Sequence, residues 1–366
     1  MSFALGERFR AAFAPPRYLA PPFSGIDIST SGVKAVRLQR GAHGITLAEY
    51  AQVRLPLGIF TDGEIVDREA IVGALATTAK KAGISAANVS LPESKAYLFE
   101  TAVPGLNKSE WRTLIEQHLE ELVPLPPVET AFDIIGLGRT KEGTESVVGV
   151  GFARRMIDDT LSVFDQAGVS VRTLEEETFA MARALLPVGD TSTTLIIDVG
   201  KTTTKMAIVT GPIPRFATTF GIGGHALTLA VQKHFGVTEA EARKVKAERG
   251  IVAAPGNEEY LAAMLSTVSA IRDEISRRLD YWQEKGTQNG EHEKVSRIIL
   301  SGGNASIRGF PEYLEGALRI PVSTGDVFTN FASRDTWIPS LDYTESLAYA
   351  TAIGLALRDT IEPYAQ

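Results

Sequence analysis

The sequence predicts an α/β fold of two similar halves, with a small α+β module inserted between them. A short apolar strand that ends in an aspartate, a small polar turn and a second strand occur at residues 25–38 and again at residues 194–209. Between these repeats, residues 97–174 show patterns in the order strand, helix, strand, strand, helix, strand. A unit that recurs along a chain is typical of a duplicated fold. The repeats therefore predict the two halves, and the segment between them predicts the module.

The first half is predicted from alternation and from turn residues. Ile26 and Ile28 flank Asp27, as expected of a strand, and the polar turn at residues 29–32 leads into a second strand that ends at Leu38. The other elements predicted here are a strand at residues 45–53, a helix at 67–82 that ends at Gly83, and a strand at 88–91.

The inserted module contains a clear helical periodicity. Apolar residues recur at helical spacing over residues 108–122, and the prolines that follow, Pro124, Pro126 and Pro127, end the helix. The other elements predicted in the module are strands at residues 97–103, 131–137, 146–152 and 169–174, and a helix at 156–167.

The second half repeats the opening hairpin and adds helices. A strand at residues 194–197, a turn at 198–204 and a strand at 205–209 follow the plan of the first hairpin. The other elements predicted are helices at residues 225–235, 239–249, 258–285, 310–318 and 346–358, a strand at 295–300, and a surface loop at 286–293.

Composition and charge restrict the classes of function. The chain has 366 residues, of which 44% are hydrophobic and 22% charged, the balance of a globular protein. Its net charge of −7 argues against nucleic acid as the main partner, because phosphate backbones are bound by clustered Lys and Arg. The chain has no Cys, which excludes disulfides and thiolate metal sites and agrees with a cytoplasmic location.

Residues 1–22 are expected to form a loosely ordered N-terminal tail. They contain four prolines, and no uninterrupted apolar segment follows their basic residues, so they make a poor secretion signal. In the alternative interpretation, apolar residues line one side of a short helix that touches a membrane surface or a partner: Phe3, Leu5, Phe9 and Phe13.

The two polar turns have the chemistry of phosphate-binding loops. A tight turn of small residues can offer several backbone N–H groups to one phosphate. The carboxylates of Asp27 and Asp198, at the ends of the two strands, would be compatible with phosphates if they held Mg²⁺ through its water molecules. One such hairpin alone is better explained as a turn without ligand. The predicted phosphate-binding residues are Ser29, Thr30, Ser31, Gly32, Lys34, Gly200, Lys201, Thr202, Thr203 and Thr204.

A third element strengthens this interpretation. The apolar strand that begins at Arg297 runs into Gly302, Gly303 and Asn304. Because glycine has no Cβ, a planar ring can approach the backbone closely, so an adenine or ribose could pack there. Two hairpins together with this turn predict one nucleotide cleft shared by the two halves.

With these elements in this order, the sequence resembles the actin-like superfamily. Residues 25–34 look like its first phosphate motif, residues 197–204 like the second, and residues 300–304 like the adenosine motif. Gly354 resembles the small residue of the second connecting helix. Within the superfamily, the module and the Val103-Pro104-Gly105-Leu106 run resemble the PilM family of type IV pilus assembly proteins, and this resemblance covers about residues 23–358.

The resemblance implies a fold and its boundaries. It implies actin-like, duplicated ribonuclease-H-like halves with an inserted small α+β subdomain of the FtsA and PilM type. The boundaries are a tail at residues 1–22, a first half at 23–94 (subdomain 1A), the inserted subdomain at 95–175 (1C), and a second half at 176–366. This second half includes a helical subdomain, and its final helix returns to the first half.

The resemblance also implies ligands and partners. Members of this family are expected to bind ATP with Mg²⁺ and to hydrolyse ATP slowly if at all. The partner implied is a PilN-like bitopic inner-membrane protein, bound through its N-terminal peptide, which would hold the cytoplasmic protein at the inner membrane. Pilus motor ATPases and self-association are further implied contacts. The adenosine-binding residues implied are Gly223, Gly224, Glu241, Lys244, Gly302, Gly303 and Asn304.

The sequence also departs from the family pattern and leaves alternatives open. Lys201-Thr202-Thr203 replaces a glycine pair, and Asn304 replaces a more usual glycine or alanine. One alternative is an actin-fold sugar kinase with Asp198 as the base, although no second substrate-binding set is evident. Another is an FtsA-like cell-division protein, and a third is a relative that no longer binds nucleotide.

Overall fold

Strands supply the two central sheets of the molecule. The computed structural model describes residues 23–61, 64–105, 107–140, 143–289 and 293–360, so the predicted tail at residues 1–22 lies outside the described residues. The strands are β1 (Phe23–Ser29), β2 (Gly32–Gly41), β3 (Gly44–Arg54), β4 (Phe60–Thr61), β5 (Glu64–Ile65), β6 (Ala86–Leu91), β7 (Tyr97–Val103), β8 (Thr130–Arg139), β9 (Glu145–Ala153), β10 (Ser170–Glu176), β11 (Thr193–Val199), β12 (Thr204–Thr210), β13 (Ile213–Phe220), β14 (Arg297–Ser301) and β15 (Val322–Thr324).

Helices cover the sheets and join the halves. They are α1 (Arg68–Ala82), α2 (Lys108–Gln117), α3 (Leu119–Leu122), α4 (Arg154–Gln166), α5 (Glu177–Leu185), α6 (Gly224–Phe235), α7 (Glu239–Arg249), α8 (Glu258–Asn289), α9 (Phe310–Leu318), α10 (Tyr343–Ser346) and α11 (Ala350–Leu357). Among the described helices, none combines the length and the apolar character needed to cross a membrane.

The first sheet has the strand order β10-β6-β1-β2-β3. β1 and β2 form the predicted antiparallel hairpin, and β6 and β10 add parallel strands on the other side of β1. Apolar residues that alternate along the strands, such as Ile26 and Val33, pack with Ile71 and Leu75 of α1. This alternation is the reason that the hairpin could be predicted from sequence.

The second sheet repeats this plan, in the order β13-β12-β11-β14-β15. β11 and β12 form the second antiparallel hairpin, and β14 pairs in parallel with β11. Leu195 and Ile208 pack with Tyr260 and Met264 of α8, the long helix that covers this sheet. α8 ends at Asn289, so it continues into residues where the sequence predicted a surface loop.

The segment predicted to form the inserted module contributes to two sheets. In the described residues, β7, β9 and β8 form a three-stranded sheet in that order, and this sheet packs on Trp111, Ile115 and Leu119. β10 pairs with β6 of the first sheet, and Val163 and Phe164 of α4 are buried in the first core. The segment after β9 therefore belongs to the first half by packing, because its apolar face is buried there. The predicted helix at residues 108–122 is also divided, since α2 ends at Gln117 and α3 begins at Leu119.

Two short helices cross between the sheets. α5 and α11 share a core with residues from both halves, among them Val36 of the first sheet and Ile196 of the second. Their backbones come so close that a Cβ on Gly354 would lie 1.8 Å from the carbonyl oxygen of Ala180. The predicted last helix at residues 346–358 is present as α10, a 3₁₀ turn at Leu347–Tyr349, and α11.

Candidate functional site

The turns of the two hairpins face each other across a cleft of about 1500 Å³. Thr202 Oγ1 in the second turn donates a hydrogen bond to Thr30 Oγ1 in the first, over 2.9 Å. Lys201 Nζ donates to the Leu55 carbonyl oxygen over 3.1 Å and so also reaches the first half. The two halves thus meet at the residues that the sequence singled out.

The first turn is tight because it contains a glycine. Gly32 has a φ of +145°, and a Cβ at this position would lie 2.3 Å from the carbonyl oxygen of Val53. Only glycine fits this close approach without strain. The turn brings the hydroxyls of Ser29 and Ser31 within 3.0 Å of each other, beside the Lys34 ammonium, whose Nζ lies 3.5 Å from Ser29 Oγ.

A buried aspartate and a buried lysine stand opposite each other in the first hairpin. Asp27 pairs with Lys34 in the strand register, and Lys34 Nζ lies 3.9 Å from Asp27 Oδ2. Ser90 Oγ on β6 donates to Asp27 Oδ1 over 2.9 Å. The carboxylate is therefore fixed in direction by a neighbouring strand, while its charge is balanced across the hairpin.

The second hairpin repeats this pair. Asp198 stands opposite Lys205 in the register, with Lys205 Nζ 3.6 Å from Asp198 Oδ2. Lys205 Nζ also donates to Glu177 Oε2 over 2.5 Å. Burial alone would lower the pKa of Lys205, but the carboxylates of Glu177, Asp198 and Asp27 outweigh it and raise this pKa above the usual range.

Lys205 and Glu177 were not among the residues predicted from the sequence. A signal for Lys205 exists, because Lys34 follows Asp27 and Lys205 follows Asp198 by the same seven positions. Glu177 has no comparable signal. It reaches the cleft because α5 begins at this residue, directly after β10.

The predicted glycine turn after β14 closes tightly on the second hairpin. Gly302 has a φ of +91°, and a Cβ there would lie 2.1 Å from Asp198 Oδ1. The Gly302 N–H donates to the Leu347 carbonyl oxygen over 3.1 Å, which ties the turn to the segment before α11. Gly303 lies next to it, and both glycines line the cleft.

Asn304 connects this turn to the hairpin and to α6. Its Nδ2 donates to the Gly200 carbonyl oxygen over 2.9 Å, and its Oδ1 accepts from Lys246 Nζ over 2.8 Å. A Cβ on Gly224, at the start of α6, would lie 2.1 Å from Asn304 Oδ1. The Asn304 side chain therefore fits against α6 only because residue 224 is a glycine and has no side chain of its own.

Glu241 and Lys244 do not reach the cleft, contrary to the prediction. Glu241 forms a capping box with Thr238 at the start of α7, and the Lys244 side chain is 76% exposed beside Glu248. Residues three apart share one face of a helix, and here Arg243 and Lys246 form the face that lines the cleft. Burial lowers the pKa of Lys246 to about 8.

Glu177 lines the cleft, and two further buried glutamates, Glu93 and Glu176, lie next to it. The Glu93 N–H donates to Glu177 Oε1 over 2.9 Å, and Thr219 Oγ1 of the second sheet donates to Glu93 Oε2 over 2.6 Å. Burial raises the pKa of Glu93 to about 7, and it raises the pKa of Glu176 well above the usual range. Protons on Glu93 and Glu176 therefore reduce the negative charge next to the cleft.

Most of the predicted site residues line the cleft, and Gly32, Thr204 and Gly223 support it, while Glu241 and Lys244 lie outside it. Thr204 Oγ1 donates to the Ile222 carbonyl oxygen over 2.7 Å, Gly32 packs on Val53, and Gly223 packs on the second turn. The predicted residues that line the cleft are Asp27, Ser29, Thr30, Ser31, Lys34, Asp198, Gly200, Lys201, Thr202, Thr203, Gly224, Gly302, Gly303 and Asn304.

This set of residues fits a phosphorylated ligand with a hydrated metal ion. The hydroxyls and ammonium groups of the turns can donate to phosphate oxygens. Within the described ranges, no three His, Asp or Glu side chains gather into a metal-binding group. A divalent ion beside Asp27 and Asp198 would therefore keep most of its ligands as water, as Mg²⁺ often does.

Comparisons with known proteins agree with this architecture. A family model described as type IV pilus assembly protein PilM matches residues 25–360. Among solved structures, a PilM–PilN type IV pilus biogenesis complex is similar with a TM-score of 0.74 and 20% identity, over 92% of this chain and 98% of that chain.

Two further solved structures are similar at lower scores. The ethanolamine utilization protein EutJ from Carboxydothermus hydrogenoformans has a TM-score of 0.56 and 17% identity, over 94% of this chain and 91% of its own. MreB5 of Spiroplasma citri bound to ADP has a TM-score of 0.54 and 15% identity, over 94% of this chain and 98% of that chain. At these identities the likeness shows the fold alone, and it confirms the predicted actin-like α/β fold.

Proposed function

Because the chain belongs to the PilM family of type IV pilus assembly proteins, we propose that it serves pilus assembly as a nucleotide-dependent docking protein. It binds ATP with Mg²⁺ in the cleft between its halves, and it binds the N-terminal peptide of a PilN-like bitopic inner-membrane protein. In this role it is a cytoplasmic protein held at the inner membrane by its partner.

The observation that carries the ATP proposal is the pair of matching hairpins across one cleft. Each hairpin offers a small polar turn and an aspartate opposite a lysine, at Asp27 and Lys34 and at Asp198 and Lys205. The turns and lysines hold the phosphates, the aspartates hold the hydrated Mg²⁺, and Gly303, where an added Cβ would meet only Ala348 at 3.8 Å, leaves room for the nucleoside. The bound Mg²⁺ screens the phosphate charges.

Slow hydrolysis is supported by the state of Glu177. It is a carboxylate that lines the cleft, and it could accept a proton from an attacking water. Its Oε2 accepts from Lys205 Nζ over 2.5 Å and its Oε1 from the Glu93 N–H. Burial raises the pKa of Glu177, but both oxygens of its carboxyl already accept hydrogen bonds from the protein, so these residues favour nucleotide binding over turnover.

We place the partner peptide in an arm of the same cleft, beside the inserted module. Phe60, Ile65, Met156 and Val163 line this arm and offer an apolar surface between β4, β5 and α4. Charged pairs at its rim join the first half to α4: Arg155 with Glu64, and Arg68 with Asp159. An apolar groove with a charged rim suits an extended peptide whose side chains alternate. Pilus motor ATPases and self-association remain further proposed contacts.

The ATP proposal is tested by titrating ATP into the purified protein in a calorimeter, with and without Mg²⁺. Wild type binds in a Mg²⁺-dependent manner, and Asp27→Ala and Asp198→Ala each weaken binding at least about tenfold, since each removes a metal-facing charge. Asp335→Ala, at an exposed position, is the matched control and leaves binding unchanged. Wild type without Mg²⁺-dependent binding would refute the assignment.

The partner proposal is tested with a synthetic peptide that carries the N-terminal cytoplasmic sequence of the cognate PilN-like protein. Met156→Glu places a charge in the arm and abolishes peptide binding measured by fluorescence anisotropy, while ATP binding persists. Leu161→Glu is the matched control, because Leu161 lies on the same helix and is 40% exposed. Equal peptide binding by both variants would place the peptide elsewhere.

A further inference from the structure

Lys246 is a buried lysine in the wall of the nucleotide cleft, where it lies on α7 and is only 9% exposed. A buried ammonium group costs free energy unless its surroundings compensate for the lost water. The partners of Lys246 in the described chain are all neutral: Gly224, Thr228 and Asn304. An apolar side chain would fill the same space without this cost, so packing alone does not explain a lysine here.

All three N–H donors of the Lys246 ammonium are used within the protein. Nζ donates to Asn304 Oδ1 over 2.8 Å, to the Gly224 carbonyl oxygen over 3.1 Å and to Thr228 Oγ1 over 3.2 Å. An ammonium group has three donors and no acceptor, so a hydrogen bond to a ligand would break one of these bonds. The effect of Lys246 on a bound nucleotide would therefore pass through these partners.

Asn304 connects Lys246 to the second phosphate turn. Its Oδ1 accepts from Lys246, while its Nδ2 donates to the carbonyl oxygens of Gly200, over 2.9 Å, and of Val199, over 3.3 Å. If the amide were rotated by 180°, its NH₂ group would face the Lys246 ammonium, and two donors would meet. Lys246 therefore sets the direction of the amide, and this direction brings Nδ2 to the turn.

The carbonyl groups of the turn determine where its N–H groups point. In a trans peptide, the C=O and N–H groups lie on opposite sides of the C–N bond. The Gly200 carbonyl oxygen also accepts from the Gly224 N–H over 2.9 Å, and the Lys201 carbonyl oxygen accepts from the His225 N–H over 2.7 Å. The N–H groups of Lys201 and Thr202, in the same two peptides, therefore point away from α6. Among the described residues, neither has a protein acceptor, and both residues line the cleft.

On the basis of the ATP function proposed above, we propose that Lys246 is a positioning residue for the triphosphate. It orients the Asn304 amide, which holds the Gly200 carbonyl toward α6 and so directs the Lys201 N–H to the phosphates. Donors that are fixed before the ligand arrives lose less conformational freedom on binding. Asn304 then serves the phosphate turn, although the sequence predicted that it binds adenosine.

The test measures Mg²⁺–ATP affinity by calorimetric titration for Lys246→Met, Asn304→Ala and the double variant. Lys246→Met keeps most of the side-chain length but removes the donors, and Asn304→Ala removes the amide. Each is expected to weaken binding at least about tenfold, because the second turn loses a contact that orients it. The double variant should bind about as weakly as Asn304→Ala, because Lys246 acts through that amide.

Lys244→Met is the matched control for charge. Lys244 lies on the same helix with its side chain 76% exposed, and its loss should leave the ATP affinity unchanged. Additive losses in the double variant would overturn the proposal, because Lys246 would then act on the nucleotide directly. Unchanged affinity of Lys246→Met would also overturn it while leaving the ATP function intact. A wild type that does not bind Mg²⁺–ATP would refute the ATP function, and the role of Lys246 with it.

Chemical rescue tests the ammonium group itself. The chain has no Cys, so Lys246→Cys carries a single thiol, which is alkylated in urea before the protein is refolded. Alkylation with 2-bromoethylamine gives a lysine analogue, and alkylation with 1-bromopropane gives an apolar side chain of the same length. Both products are first shown to unfold cooperatively in urea.

The aminoethylated protein is expected to regain the wild-type ATP affinity, while the propylated protein stays at least about tenfold weaker. In a chain that also carries Asn304→Ala, the two products should bind ATP equally, since the ammonium then has no amide to orient. Equal affinities of the two products in the chain that retains Asn304 would overturn the proposal. So would a rescue that persists without Asn304.

Discussion

At the scale of single residues, the cleft depends on a glycine that leaves room for an aspartate. Gly302 has a positive φ, and its missing side chain lets the backbone approach Asp198 Oδ1. Two separate properties of glycine are used here, backbone freedom and lack of volume. They can be separated experimentally, because Gly58 has a similar φ of +90° but has no neighbour within 4 Å of an added Cβ.

We predict that Gly302→Ala lowers the affinity for Mg²⁺–ATP at least about tenfold, because the new methyl group displaces the Asp198 carboxylate. Gly58→Ala leaves the affinity unchanged. Both variants lose about 1 kcal/mol of stability from the unfavourable φ. Calorimetric titration and urea unfolding of the two variants measure these effects. Equal ATP affinities of Gly302→Ala and Gly58→Ala would show that ATP binding does not require Asp198 in its observed position.

The buried carboxyl of Glu93 links stability to pH. Burial raises its pKa from 4.5 to about 7. The folded chain therefore keeps this proton at pH values where the unfolded chain releases it. The stabilising contribution is complete below about pH 4.5 and is lost as the pH rises through about 7.

We predict that Glu93→Gln removes this dependence. Between about pH 4.5 and about pH 7.5, the unfolding free energy of wild type should fall by about 3 kcal/mol relative to that of Glu93→Gln. Urea unfolding across this pH range measures the difference. Glu248→Gln, at an exposed position on α7, is the control and should follow wild type. Parallel curves for wild type and Glu93→Gln would contradict the prediction.

At the scale of secondary-structure elements, the crossing of α5 and α11 holds the two halves together. Gly354 lets the two backbones touch, and Arg183 Nη1 donates to the Gly354 carbonyl oxygen over 2.9 Å. The same guanidinium pairs with the buried Glu175. The crossing therefore combines close packing with a charge pair that is excluded from water, and both require the helices to stay at this separation.

We predict that Gly354→Ala destabilises the protein by about 1–3 kcal/mol, because the methyl group forces α11 away from the Ala180 carbonyl oxygen. Gly316→Ala is the control. Gly316 also lies in a helix, α9, but an added Cβ there meets no atom within 4 Å. This variant should be neutral or stabilised by up to about 1 kcal/mol. Urea unfolding of both variants measures their unfolding free energies. An unchanged value for Gly354→Ala would mean that α5 and α11 can move apart without loss of stability.

At the scale of the whole molecule, the halves also meet directly through their turns. The hydroxyls of Thr30 and Thr202 form one hydrogen bond across the cleft, and Lys201 reaches the first half at Leu55. The same groups are proposed to bind phosphates, so contacts between the halves and contacts to nucleotide involve the same side chains. Nucleotide that binds both turns would join the halves more firmly.

We predict that Thr30→Val and Thr202→Val each reduce the unfolding free energy by about 1 kcal/mol, and that the double variant loses no more than one of them, because both remove the same hydrogen bond. Chemical unfolding of wild type, the two single variants and the double variant gives the coupling energy between Thr30 and Thr202. A second pair, Thr30→Val with Thr336→Val, is the control. Thr336 donates to Ser333 within a loop, so its effect should add to that of Thr30→Val. Additive losses in the first pair would exclude the cross-cleft bond.

The sequence alone determined the two hairpins, their aspartates, the glycine turn and the actin-like fold class. These features depend on local properties: alternation of apolar residues, turns of small residues, and glycines with positive φ such as Gly302. Their repetition along the chain was enough to predict two halves. The PilM resemblance rested on the inserted module and the Val103-Pro104-Gly105-Leu106 run, and the family match confirms it.

Only the tertiary structure decided which other residues reach the cleft. Glu177 meets Lys205 in the cleft, and Glu93 meets Thr219 beside it, through packing between segments far apart in the sequence. The face of α7 that lines the cleft, with Arg243 and Lys246 rather than Glu241 and Lys244, depends on how this helix lies against α6. The limits of the module depend on β10 pairing with β6. Long-range packing and burial set these features, and they leave no local pattern in the chain.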